Sequence, residues 1–206
     1  MRLRRSRAKN RATAARGQSL AEFALVFPLF WTVVIGLIEF SFGFQSVLAV
    51  SFASRNAAVI ASEAGNAPTA DCSILRSVEN DLTAPSSAKQ ILTVDIYWTD
   101  SNGVAKSGAT TTYTRSALST TNCKVDNVSF TVPYGTPSPN GYPMGTRCSL
   151  RAGCPSYAGH TLSTGLDTIG VKLTFRYLFH TPYSAILGGT GWTLERSSEM
   201  RLEPFQ

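Results

Sequence analysis

The sequence is poor in the side chains that usually carry catalysis and metal binding. It has only two histidines, His160 and His180, and 16% charged residues, against about a quarter in ordinary soluble domains. It contains no G-x-S-x-G nucleophile elbow, no glycine-rich phosphate loop and no C-x-x-C pair. These absences argue against a hydrolase, a nucleotide-binding enzyme and a zinc site. We therefore expect a protein with no enzymatic activity, no cofactor and no metal.

Acidic residues are missing from the start of the chain. None precedes Glu22, whereas seven of the 19 basic residues lie within residues 1–17. The remaining 12 basic residues face 13 acidic ones, so the body of the chain is nearly neutral although the formal net charge is +6. A nucleic-acid-binding domain needs a basic stripe on its folded surface. We therefore predict no nucleic-acid binding by the folded domain, and interpret the basic segment as a topology signal.

A long apolar run follows the basic segment. Residues 23–38, FALVFPLFWTVVIGLI, carry no charge, and about 20 apolar residues suffice to cross a bilayer. We predict one membrane span between roughly Leu20 and Phe44, with the N-terminus cytoplasmic and the chain after about residue 50 outside. Helix-forming residues continue to a C-cap at Gly65, which predicts one helix over Leu20–Ala64, bent near Pro28.

A cleavable secretory signal peptide is the main alternative for this segment. Its apolar region would extend over about 7–15 residues and end at an A-x-A-like site. Here the apolar stretch is about twice that length and is followed by Glu39 and further apolar residues. The pattern therefore favours a retained membrane helix.

Small and polar residues form a seam along one side of the predicted helix. Thr32, Gly36, Glu39, Gly43 and Ser46 project within an arc of about 80°. Such seams let one membrane helix pack closely against another, and the carboxylate of Glu39 needs a partner inside a membrane. We favour a helix-packing seam over the alternative, a lone anchor whose glycines are tolerated in lipid.

The opening of the chain resembles a known family. RGQSLAEFALVFPLFWTVVIGLIEF, residues 16–40, is similar to the N-terminus of TadE-like proteins, pseudopilins of the tight-adherence (Tad, or Flp) pilus system. The shared pattern is R-G-Q-x-x-x-E-F-A-L-x-x-P followed by G-x-x-E-F. The similar region covers about residues 16–65, and the short ending MRLEP adds a weak further match.

The resemblance implies a processing site and an assembly contact. A prepilin peptidase would cut between Gly17 and Gln18, which makes Glu22 the fifth mature residue. A glutamate at that position is thought to pair with the N-terminal amine of a neighbouring subunit, and Glu39 would supply a second buried contact. Gln18 departs from the Phe or Met that is usual at the first mature position of type IV pilins.

The resemblance also implies a function, a location and partners. The chain would be a minor pseudopilin of a bacterial Tad pilus, a system of cell adhesion and secretion, held in the cytoplasmic membrane. Its partners would be membrane lipid, other pilin helices, the prepilin peptidase and the assembly platform proteins. The alternative is an unprocessed single-pass membrane protein whose extracytoplasmic domain binds a ligand or an external surface.

The sequence divides into a leader (1–17), a transmembrane and extended helix (18–65) and an extracytoplasmic domain (66–206). In the last part, period-two patterns predict strands at 90–98, 125–132, 167–180 and 192–203, and residues 72–82 predict a short helix. Polar residues on one side of each strand favour an antiparallel sheet. We therefore predict a pilin-like α+β fold, with the sheet packed on the outer half of the long helix.

All four cysteines lie in the predicted extracytoplasmic domain, where oxidising conditions favour disulfides. Four cysteines allow three pairings. We favour Cys72 with Cys123, and Cys148 with Cys154, which would close a long Pro/Gly-rich loop over residues 134–165.

Overall fold

A computed structural model describes residues 5–82, 86–100, 102–137, 141–149, 166–182, 189 and 191–202, and only the backbone over 5–17. Its dominant element is one helix, α1 (Arg5–Ala64), which is about 90 Å long at 1.5 Å per residue. The helix ends at Gly65, whose positive φ of 55° suits a residue without a Cβ and whose N–H donates to the Ala61 carbonyl. The predicted C-cap is confirmed, whereas the helix begins earlier than the predicted Leu20.

A four-stranded antiparallel sheet packs beside the outer half of α1. It consists of β1 (Ile91–Thr99), β2 (Ala105–Thr114), β5 (Thr168–Leu178) and β6 (Gly191–Arg201), in the order β2-β1-β5-β6. A separate hairpin joins β3 (Thr121–Val125) to β4 (Val128–Val132). The architecture confirms the predicted α+β fold, with a long apolar helix followed by an antiparallel sheet domain.

The core lies between the sheet and α1 because both elements present small or branched apolar residues to each other. Alternate residues of β5, from Ile169 to Tyr177, are buried on the face that meets α1, as their period-two pattern predicts. The helix contributes mostly alanines, which allow the sheet to approach its backbone closely. The buried alanines of α1 are Ala53, Ala57, Ala58 and Ala61.

A short helix, α2 (Ala70–Asp81), packs on α1 next to the sheet. A disulfide between Cys72 and Cys123 joins α2 to β3, which is the pairing favoured from the sequence. Cys148 is also disulfide-bonded. Cys154 and most of the Pro/Gly-rich loop lie outside the described residues.

Three details of the sheet differ from the sequence prediction. Residues Asp126 and Asn127 have φ values of 48° and 66° and form the turn of the β3–β4 hairpin, so residues 125–132 are not one strand. Strand β2 was not predicted, because its threonine-rich sequence lacks an apolar alternation. An irregularity after Ile91 pairs Ile91 with Phe175 and leaves Leu92 38% exposed, although the period-two pattern predicts that Leu92 shares a face with Val94 and Ile96.

Candidate assembly interface

The part of α1 that follows Gln18 offers an almost unbroken apolar surface. Within the described residues, Gln18–Ala64 is the one helix long and apolar enough to cross a membrane, and little of its most apolar stretch is buried. Large side chains project on every side of it. The exposed ones near its start include Leu20, Phe23, Leu25, Val26, Leu29 and Phe30. This surface fits a single-pass membrane protein, because lipid accepts apolar side chains over the whole circumference of a helix.

Glu22 lies on this exposed stretch, one helical turn after Gln18. The Gln18 Nε2 donates a hydrogen bond to the Glu22 Oε1 over 3.0 Å, as residues four apart on a helix can. Gly17 and Gln18 lie within the helical backbone of α1. Glu22 and Gln18 lie on the same face of the helix, and the Glu22 side chain is exposed there. Another molecule can therefore reach it.

Glu39 has a different environment, since one end of the sheet domain covers it. We call this end, which is the one nearest the N-terminus of α1, the lower end. Its carboxylate accepts hydrogen bonds from the Thr181 N–H at 2.9 Å, the Thr181 hydroxyl at 2.5 Å and the His180 N–H at 3.2 Å. The Tyr177 hydroxyl donates a fourth bond. Glu39 is only 7% exposed. We call Glu39 with Tyr177, His180 and Thr181 the carboxylate clamp, because it fixes the end of β5 to α1.

The predicted helix-packing seam is divided by this contact. Gly43 faces the Tyr177 ring, from which an added Cβ would lie 3.9 Å away, and Ser46 is buried. The upper residues of the seam therefore pack within the chain. Thr32 lies below the clamp and is exposed, and its hydroxyl donates to the Pro28 carbonyl at 2.7 Å. Gly36 is partly exposed, so the lower seam is the part that remains open to a second helix.

An apolar groove of about 380 Å³ opens beside the clamp, between α1 and the adjacent ends of β5 and β6. Its floor is formed by α1 from Gly36 to Val47, and its wall by aromatic and aliphatic residues of the sheet. The wall residues are Tyr177, Phe179, Trp192 and Leu194. Phe179 and Trp192 meet edge to face, with ring centroids 5.1 Å apart.

A buried polar cluster lies away from the clamp, where the segment before β5 meets α2. The Arg147 guanidinium, which is fully buried, contacts the Asp71 carboxylate at 2.5 Å, and the Tyr113 hydroxyl donates to Asp71 at 2.7 Å. The Tyr142 hydroxyl donates to Asp167 at 2.5 Å. Burial, together with the neighbouring carboxylates, raises the pKa of both tyrosines above the ordinary value. The phenols therefore stay protonated, and the cluster acts as a structural tie.

His180 is the histidine that the structure describes, and it takes part in packing. His180 packs against the rings of Phe42 and Tyr177, and its backbone belongs to the carboxylate clamp. His160 lies outside the described residues. Within the described ranges, no group of three potential metal ligands comes together.

Sequence reasoning singled out Gly17, Gln18, Glu22 and Glu39, but it did not find the partners of Glu39. The clamp joins residues about 140 positions apart, and two of its donors are backbone N–H groups, which leave no mark in the sequence. The signal in the sequence was a charged residue, Glu39, within an apolar run. Such a residue needs a hydrogen-bonding partner, but the sequence does not identify that partner.

Comparison with known proteins finds a family match along most of α1. Residues 17–59 match the family model described as TadE-like protein, which confirms the resemblance found in the sequence. The match begins at Gly17 and covers about a fifth of the chain. No curated protein and no solved structure matches the chain. The match supports a protein associated with the Tad pilus and a membrane.

Proposed function

We propose that this chain, whose helix α1 is TadE-like, is a minor pseudopilin of a Tad pilus. In this proposal α1 anchors it in the bacterial cytoplasmic membrane with the N-terminus inside and the sheet domain outside. A prepilin peptidase cuts between Gly17 and Gln18, and the mature chain then joins other pilin helices and the assembly platform. It has a structural role and no enzymatic activity.

The observation that carries the proposal is where the family match lies. It starts at the glycine that ends the basic leader and extends along the helix past the exposed apolar surface. The seven basic residues before this point would keep the N-terminus cytoplasmic. A leader, a glycine, a glutamate five residues later and an apolar helix form the arrangement that pilin processing and assembly require.

The environments of the two helix carboxylates support different roles for them. Glu22 is exposed and close to Gln18, whose α-amine would become the N-terminus after cleavage. A carboxylate at membrane depth costs roughly 2.5–3.5 kcal/mol unless a cation meets it. We therefore propose that Glu22 pairs with the N-terminal amine of a neighbouring subunit. Glu39 has partners within its own chain, and we propose that it helps assembly by holding the sheet domain on α1.

Substitution of Glu22 tests this proposal. Glu22→Gln keeps the size and the hydrogen-bonding oxygen but removes the charge that would attract the amine. In cells that assemble the pilus, incorporation of this variant should fall at least about tenfold, the ratio that corresponds to 1.4 kcal/mol. Incorporation is measured by quantitative immunoblotting of sheared filaments against the membrane fraction.

Glu63→Gln is the matched control, because Glu63 is also exposed on α1 but lies beyond the apolar run. This variant should enter filaments as the wild type does. Wild-type incorporation of Glu22→Gln would contradict the proposed contact. If the leader stays uncut and assembly does not depend on Glu22, the results would favour a permanent single-pass anchor with an external binding domain.

A further inference from the structure

We propose that the apolar groove between α1 and the ends of β5 and β6 binds a lipid acyl chain. The sheet domain would then rest in the outer leaflet of the membrane and would not stand clear of it. This inference rests on the proposed function in one respect, because α1 must span the membrane. It adds that the sheet domain carries a lipid-binding surface of its own.

The position of the groove along α1 matches the thickness of a bilayer. From Gln18 to Glu39 the helix advances 21 residues, which is about 31 Å at 1.5 Å per residue. The hydrocarbon core of a bilayer is about 30 Å thick. If the span begins near Gln18, the carboxylate clamp lies at the outer boundary of the hydrocarbon, and the lower end of the groove, at Gly36, lies within it.

The groove also continues the lipid-facing surface of α1. Its floor includes Phe40 and Phe44, which are 72% and 55% exposed and follow directly on the exposed residues below. No change of surface chemistry separates the described membrane helix from the groove. An acyl chain lying along this face of the helix would pass the Thr32 hydroxyl, which bonds to the Pro28 carbonyl, and would then enter the groove between apolar side chains.

The sheet-side wall of the groove contains a tryptophan that suits a membrane interface. Trp192 is 56% exposed although it lies at the base of the sheet next to apolar neighbours. Tryptophan and tyrosine are enriched at membrane–water interfaces, where the ring contacts the acyl chains and the polar edge stays hydrated. Trp192 occurs at the level where α1 leaves the hydrocarbon, which suits an interfacial aromatic belt, whereas Tyr177 is buried.

The groove offers few polar groups that could orient a polar ligand. Pockets for polar small molecules place a few such groups precisely, whereas here, besides the Trp192 indole N–H, the polar groups along the described lining are the Glu39 carboxylate and the Tyr177 hydroxyl. These two groups bond to each other, and the clamp satisfies the remaining carboxylate oxygen. What remains is an apolar surface, for which an acyl chain is a sufficient ligand.

The three tryptophans allow a direct test, because they lie at three different depths. Trp31 is on the membrane stretch of α1, Trp192 borders the groove, and Trp98 pairs with Ile169 at the opposite end of the sheet. Eight residues of β5 separate the levels of Ile169 and Tyr177, which is about 27 Å along a strand. Full-length variants with a single tryptophan are made by Trp→Phe substitution at the other two positions.

Each variant is reconstituted at high lipid excess into phosphatidylcholine vesicles whose acyl chains carry bromine, and its fluorescence is compared with that in unbrominated vesicles. We expect Trp31 and Trp192 each to lose most of their emission and Trp98 to lose almost none. Bromine close to the headgroup should quench Trp192 more than bromine deep in the chain. The deep label should be the more effective one for Trp31.

The possible failures are distinguishable. Quenching of Trp31 without quenching of Trp192 would overturn the lipid groove and leave the membrane anchor intact. A Trp192 that is protected while the protein elutes as an oligomer would assign the groove to a second copy, and would also overturn the inference. Loss of quenching at Trp31 as well would contradict the membrane anchor, and with it the proposed function.

Discussion

At the scale of single residues, the molecule shows two carboxylates on one apolar helix with different environments. Glu22 is exposed and bonds to the Gln18 side chain, whereas Glu39 is covered by Tyr177, His180 and Thr181. The sequence predicts that each needs a partner, because both interrupt an apolar run. It cannot predict that the partners of Glu39 come from the end of β5, since that depends on how the sheet docks.

The carboxylate clamp should contribute to stability. Glu39→Gln removes the charge that strengthens the bonds from Thr181, Tyr177 and His180, and should lower the free energy of unfolding by about 2 kcal/mol. Thermal unfolding of the detergent-solubilised full chain, followed by circular dichroism, measures the change. Glu63→Gln, at an exposed position, should alter it by less than about 0.5 kcal/mol. Equal stability of both variants would show that the clamp contributes nothing.

The buried pair of Arg147 and Asp71 should be more sensitive than a pair on the surface. Asp71→Asn leaves the guanidinium buried without its counter-ion, which should cost about 3–5 kcal/mol. Lys172 and Asp95 form a more exposed pair at 3.2 Å, in which the lysine side chain is 37% exposed, and Lys172→Gln should cost at most about 1 kcal/mol. Urea unfolding of the full chain in detergent measures both. A cost for Asp71→Asn as small as that for Lys172→Gln would contradict this account of the cluster.

At the scale of elements, predictability follows periodicity. β5 was predicted because its alternate residues from Ile169 to Tyr177 are apolar, and α1 because helix formers continue to Gly65. β2 was missed because it is an edge strand, whose threonines need no apolar alternation. The turn at Asp126–Asn127 was missed because the flanking valines gave the appearance of one continuous strand. In both cases the pairing partner, and not the local pattern, decides the structure.

The disulfide between α2 and β3 is the covalent link at this scale. Cys72 and Cys123 are 51 residues apart, and closing a loop of that length should stabilise the fold by about 4 kcal/mol. Replacing both cysteines by serine should lower the unfolding temperature and raise hydrogen exchange in the β3–β4 hairpin. Hydrogen exchange with mass spectrometry measures this, and β5 serves as the internal reference. Unchanged exchange in the hairpin would mean that the disulfide does not hold it.

At the scale of the whole molecule, the chain combines a helix that matches a family model with a sheet domain that lies outside the match. The sequence predicted the long apolar helix, the α+β fold and the placement of the sheet beside the outer half of α1. It could not predict how far the sheet extends along α1 towards the N-terminus, because the contact between the end of β5 and Glu39 sets that limit. That contact brings the end of the domain to Glu39, and the groove lies beside it.

The central claim is that the chain enters the pilin pathway by loss of its leader. The most direct measurement is the intact mass of the membrane-extracted protein, from cells with and without a prepilin peptidase. The account predicts a chain that begins at Gln18 only when the peptidase is present. A chain that retains residues 1–17 in both strains would contradict processing, and one that begins near residue 54 would instead establish a secretory signal peptide and contradict the membrane anchor.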